Sequence, residues 1–391
     1  MPAIDADWRV VDGVATAWFD ASSLVEGAAL AGRIVELSAG LAVDVRATGV
    51  RVRVGSGEHA EAVSVVARDL GLVAGPSVLQ QVSVALDAAD PAALTPFWQP
   101  VLGYVPGDDG GLVDPLRRDP AMRIRPSTEP RPLRNRIHLD VVRPAAEIER
   151  ANLGEAHGPY GVRHADPDGN EVDVVPGDPL GGTGSTADWQ AVFGAMACYR
   201  TTSPTHQRDL AAAVAALADR AGFPLLIDLR PGLVIVDSGK DLWDPGAHGL
   251  ELDFTELAAA VQAAARDLGA VADAGLARFV QIFFDAADVA AVRAFWVAAL
   301  GYVHDRRAGL TDIVDPQRLN PVLVFQELDA TETERRRQRN RIHLELAVPS
   351  DNARSRLDAC LAADGRLLDE SEDRRRVADP EDNELVIVAG P

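Results

Sequence analysis

The chain has 391 residues, 47% of them hydrophobic, and a formal net charge of −21. That length can bury several cores, and the acidic balance argues against a nucleic-acid backbone or an anionic membrane as partner, because both need clustered positive charge. Lys240 is the only lysine, Cys198 and Cys360 lie far apart with no CxxC pair, and no apolar run approaches the ~20 residues of a membrane span, so a soluble cytoplasmic protein without a thiolate zinc site is expected.

In chain order, ADW at Ala6–Trp8 leads into a strand over Arg9–Phe19 and a helix over Leu24–Leu37. The alternation in VDVRATGVRVRV then predicts a tight hairpin turning at Thr48–Gly49, followed by a helix from about Ala60 to Leu70. QQVSVALDAADPAALTPFWQPVLGY reads as a strand, a helix capped by an aspartate, and a glycine stop. NRIHLDVVRPAAEIERANL has the same strand-then-helix grammar, and HADPDGNEVDVVP closes with a turn and a strand, giving two βαβββ modules in series.

After a linker at Gly181–Ser185 the whole pattern recurs. ADW returns at Ala187–Trp189, a helix at Asp209–Ala221, strands at Leu225–Leu229 and Leu233–Val236, and a helix at Phe254–Leu268. Asp-x-Arg at Asp44 is matched at Asp228, DAAD at Asp87 by Asp285, and FW…LGY at Phe97–Tyr104 by Phe295–Tyr302. NRIHL at Asn135 is matched at Asn340, and ADPxxNE at Ala165 by Ala378. A period near half the chain is a duplicated domain pair rather than a solenoid.

The paired modules, with FW…LGY, NRIHL and a terminal DPxxNE turn, resemble the glyoxalase-like branch of the vicinal-oxygen-chelate superfamily over 77–178 and 276–389. The resemblance implies that each pair curls into a cup holding a divalent metal, with ligands on the first and last strands of each module. It places Gln81, His138 and Asp173 at three ligand positions of copy one, and Arg123 or Arg125 where a carboxylate should stand, which would repel a cation. By the strand pleat, Gln81, Ser83 and Ala85 share the concave face, as do His138 and Asp140. In copy two Phe279 replaces the glutamine and Val386 the aspartate, leaving Gln281, His343, Glu345 and Glu327 as polar candidates. His138 and His343 read equally well as hydrogen-bonded strand histidines, and Trp98 and Trp296 as core.

The leading segments, 5–75 and 187–270, resemble pterin-4a-carbinolamine dehydratases through their opening tryptophans Trp8 and Trp189 and the pattern that follows. The resemblance implies general acid–base histidines, but the paired positions are Ala39 and Gly40, then Phe223 and Pro224. Gly57 and Gly239 stand at the third, with His59 and His248 nearby. These segments are therefore expected as scaffold, pairing internally in a pseudo-twofold monomer or between chains of a homodimer.

The expected fold class is α+β, a tandem duplication in which each copy is a small dehydratase-like unit followed by paired βαβββ modules forming a cup-shaped sheet. The segments are 1–75, 77–180, 187–273 and 276–391. The arginine runs Glu332–Arg341 and Ser371–Val377 read as solvated loops with acidic partners, the alternative being an anion-binding rim on the second cup. The leading functional expectation is a metal-free, glyoxalase-like protein that binds a small molecule through Gln81, Ser83, Arg123, His138, Asp140, Asp173, Gln281, His343 and Glu345. The alternatives are a lyase or isomerase of the glyoxalase type using a divalent metal in copy one, and a 4a-hydroxytetrahydrobiopterin dehydratase-type lyase.

Overall fold

The computed structural model describes residues 6–55, 57–181, 184–242, 244–329 and 331–390, so the middle of the Gly181–Ser185 linker lies outside the described residues. The chain divides into two compact units, and neither is a contiguous half: one joins Met1–Leu79 to Gly177–Arg278, the other Gln80–Pro176 to Phe279–Pro391. Like segments assemble with like.

In the first unit, Trp8–Val11, Val14–Asp20, Gly49–Val54 and Ala42–Arg46 are successive antiparallel neighbours. The single strand expected over Arg9–Phe19 is two, because Asp12 and Gly13 both take positive φ and form a two-residue hairpin turn. Ala195–Arg200, Leu233–Asp237 and Leu226–Arg230 repeat the arrangement in copy two. The copies join where Ala42–Arg46 pairs with Leu226–Arg230, Asp44 opposite Asp228. Arg46 reaches Asp228 at 2.7 Å and Arg51 reaches Asp44 at 2.6 Å, while Arg230 also donates to Asp44. The Asp-x-Arg motif is thus a buried ionic seam. Helix Leu24–Leu37 packs on helix Pro204–Ala221, which starts earlier than expected because Ser203 caps it and Pro204 fits its first turn.

The second unit contains two mixed sheets. In one, Gln81–Ala88 pairs antiparallel with Ile342–Val348; in the other, Ile137–Pro144 pairs antiparallel with Phe279–Ala286. Met122–Pro126 flanks Gln81–Ala88, and Glu384–Ala389 then Arg374–Ala378 extend from Ile342–Val348. Correspondingly, Leu323–Glu327 flanks Phe279–Ala286, and Glu171–Pro179 then Arg163–Ala165 extend from Ile137–Pro144. Each sheet therefore takes the first module of one copy and the second module of the other. This corrects the expectation that the two modules of a copy close on each other. A pleat determines which face a side chain occupies, but two similar copies offer equivalent edges and leave the partner open.

The repeated motifs build the exchanged pairing. Asn135 accepts the Arg341 backbone N–H at 2.8 Å, and Asn340 accepts that of Arg136 at 2.8 Å. The buried Arg136 guanidinium donates to the carbonyls of Arg335, Arg336, Gln338 and Glu381 in the other copy. Arg341 reciprocates to the carbonyls of Arg131, Leu133 and Gly169. Trp98 donates to Asp166 at 2.8 Å, which also holds Asn170; Trp296, Asp379 and Asn383 repeat this. Both tryptophans are fully buried in the core, as expected. The second module of copy one is one strand short of βαβββ. Where copy two has Arg366–Glu370, the stretch from Asn152 to Val162 turns at Gly154, Gly158 and Gly161, all with positive φ.

Candidate functional site

The candidate residues separate onto two sheets. His138, Asp140, Asp173 and Gln281 are together on one, and Gln81, Ser83, Arg123, His343 and Glu345 on the other. The expected ligand set Gln81–His138–Asp173 therefore does not exist as a cluster: Gln81 stands opposite Ala347, on the other sheet.

On the His138 sheet, Ile137, Leu139, Val141, Ile282 and Phe284 fill the core beneath the helices, so the pleat turns His138, Asp140 and Gln281 to the opposite face. That face is sheltered, with His138 8% and Gln281 2% exposed. Single ligand atoms of His138, Asp140 and Asp173 all lie within 4.8 Å of one another, with His138 Nε2 3.8 Å from Asp140 Oδ1. Gln281 stands opposite Asp140 and donates to its Oδ2 at 3.0 Å. Phe283, opposite His138, stacks on the imidazole at 5.1 Å between centroids and 17° between planes. Burial lowers the pKa of His138 against the opposing pull of Asp285 and Asp173, keeping the ring neutral and its lone pair available at neutral pH.

Acceptors there without a hydrogen-bond donor include the buried Oδ1 of Asp173, 3.7 Å from Arg163 Nε, and Oε1 of Gln281. One imidazole, two carboxylates and an amide oxygen form a donor set suited to a hard or borderline divalent cation, and the unsatisfied acceptors are what such an ion would satisfy. The residues present fit a metal. Phe279 and Phe283 pack with Val314, Val322 and Val324 into a small apolar cluster separate from the main core. Phe283 escaped the sequence reading, although its alternation with Gln281 and Phe279 placed it on this face; recognising its role required knowing that the two copies exchange modules.

On the other sheet, Glu345 is opposite Ser83 and His343 is opposite Ala85. Glu345 receives Arg125 at 2.7 Å, Arg374 at 2.8 Å and Arg123 at 3.1 Å. Arg123 also contacts Asp109 at 3.3 Å. Val386, beside Glu345, provides no ligand where the first sheet has Asp173. Glu327 is exposed at the end of its strand, on the His138 sheet.

In the first unit, His59 lies on helix Gly57–Asp69, and Phe223 is buried in the core. The side chain of His248 lies outside the described residues. Among the described residues no helix is long and apolar enough to cross a membrane.

Residues 83–175 and 281–388 each match the family described as glyoxalase-like domain, together just over half of the chain. No curated protein matches. Among solved structures, glyoxalase I from Zea mays is 9% identical with a TM-score of 0.40, over 79% of this chain and 93% of that one. The cppA protein from Streptococcus pneumoniae TIGR4 is 11% identical with a TM-score of 0.34, over 79% and 98%.

Proposed function

The chain belongs to the glyoxalase-like domain family, and from that premise we propose that it binds an oxygen-bearing small molecule on the His138 face through a divalent cation. His138, Asp140 and Asp173 would hold the ion, with the amide oxygen of Gln281 within the same cluster. The observation that carries this reading is the convergence of three ligand atoms within 4.8 Å on a sheltered face. Bound there, the ion would polarise neighbouring oxygens of the ligand.

The chain's own groups have distinct parts. Neutral His138 presents a lone pair without first losing a proton, and Phe283 fixes its plane by stacking. Gln281 orients Asp140 by donating to its Oδ2. The Phe279–Phe283–Val324 cluster excludes water from one side and offers an apolar surface to the non-oxygen part of the guest.

Elemental analysis tests the proposal on protein purified without chelator or affinity-tag metal. One equivalent of a divalent metal is expected, lost in His138→Ala and in Asp173→Asn. A wild type that retains no metal after loading with manganese, nickel or zinc and dialysis would sink it.

A further inference from the structure

The two sheets are built alike, yet their inner faces carry opposite charge. Register shows the divergence: Phe283 and Asp285 lie beside Val324 and Gln326, whereas the equivalent Ala85 and Asp87 lie beside Arg123 and Arg125. Strand Arg374–Ala378 contributes Arg374 to the same place, and copy one has only glycine-rich turns there. Three guanidinium groups thus converge on one buried carboxylate, Glu345, whose side chain is 4% exposed. Arg123 also contacts the exposed Asp109.

One carboxylate cannot satisfy the planar donor forks of three arginines. The side chains of Arg125 and Arg374 are 41% and 40% exposed, so their remaining donors open to solvent. Arg125 Nε has no acceptor, and His343, 7% exposed and two residues from Glu345 on the same face, has an unpartnered Nδ1. The chain has a net charge of −21, yet here three arginines face one buried carboxylate, and arginine forks match carboxylate and phosphate oxygens.

We infer that the Arg123–Arg125–Arg374 cluster on the His343 face is a second ligand site, selective for a small oxyanion, a carboxylate or a phosphate. This goes beyond the cation site proposed on the other sheet and does not depend on it. Glu345 draws the three arginines together, and the anion occupies the outward donors of Arg125 and Arg374.

The experiment is calorimetric titration of the full chain with inorganic phosphate and, separately, with succinate. Saturable one-to-one binding of at least one is expected, weakened about tenfold in Arg125→Gln and in Arg374→Gln, the loss of one charge-assisted hydrogen bond. Arg354→Gln, on an exposed helix, should leave it unchanged. Binding of succinate alone identifies a carboxylate site, and binding of phosphate alone a phosphate site. Absence of saturable binding by either, or binding that survives both Arg125→Gln and Arg374→Gln, overturns the inference. Arg125→Lys, which retains the charge, gives a second variant should Arg125→Gln fail to fold.

Discussion

Glu345 shows how far a single residue is governed by its neighbours. Burial works to raise its pKa, but hydrogen bonds and charge from Arg374 and Arg125 prevail and hold it below the usual value of 4.5. Between the depressed folded value and the unfolded one, the unfolded chain binds the extra proton, so stability rises with pH across that window. The contribution is complete above about pH 4.5 and disappears as pH falls through the lower, folded value. Glu345→Gln should accordingly be less stable than wild type at neutral pH, with the gap closing in acid; urea unfolding measured across that range checks this, and a gap that widens in acid refutes it. The same scale shows what was legible beforehand. Pleat arithmetic placed His138 with Asp140, because alternation depends only on local backbone geometry. It could not separate Gln81 from His138, since that depends on which strand lies alongside.

At the scale of elements, the motifs most visible in the sequence proved to be joints. The Asn and Arg of NRIHL bond reciprocally between copies, while the tryptophan of FW and the Asp and Asn of ADPxxNE tie the two modules of one copy together, and the histidine turns toward a site. Arg136, itself fully buried, satisfies several carbonyls at once, so Arg136→Met should strand them and cost at least about 3 kcal/mol. Denaturant unfolding measures it, and a loss under about 1 kcal/mol would mean that water replaces the guanidinium without penalty. The Asp-x-Arg strands are a comparable joint: each aspartate binds an arginine of the other copy, a role invisible in an isolated strand pattern.

For the whole molecule, exchange of modules means that neither copy is self-sufficient. A fragment ending at the linker would expose the edges of Gln81–Ala88 and Ile137–Pro144, whose partners Ile342–Val348 and Phe279–Ala286 belong to the other copy. Unpaired edges of this kind seek another strand. Residues 1–181 expressed alone should dimerise or aggregate, and should recover a monodisperse species when co-expressed with the remainder; light scattering that finds a stable, well-folded monomer of the fragment would contradict the exchange. Duplication, the approximate order of strands and helices, the face taken by His138 and Asp140 and the resemblance to glyoxalase-like domains were set by the sequence, because each follows from short-range periodicity or from comparing one copy with the other. Which modules share a sheet, and hence which polar groups meet as an acidic cluster and which as a basic one, was decided only by the tertiary structure. Two near-equivalent copies present the same local pattern, and the choice between them rests on buried contacts some 200 residues apart, such as those of Arg136 and Arg341.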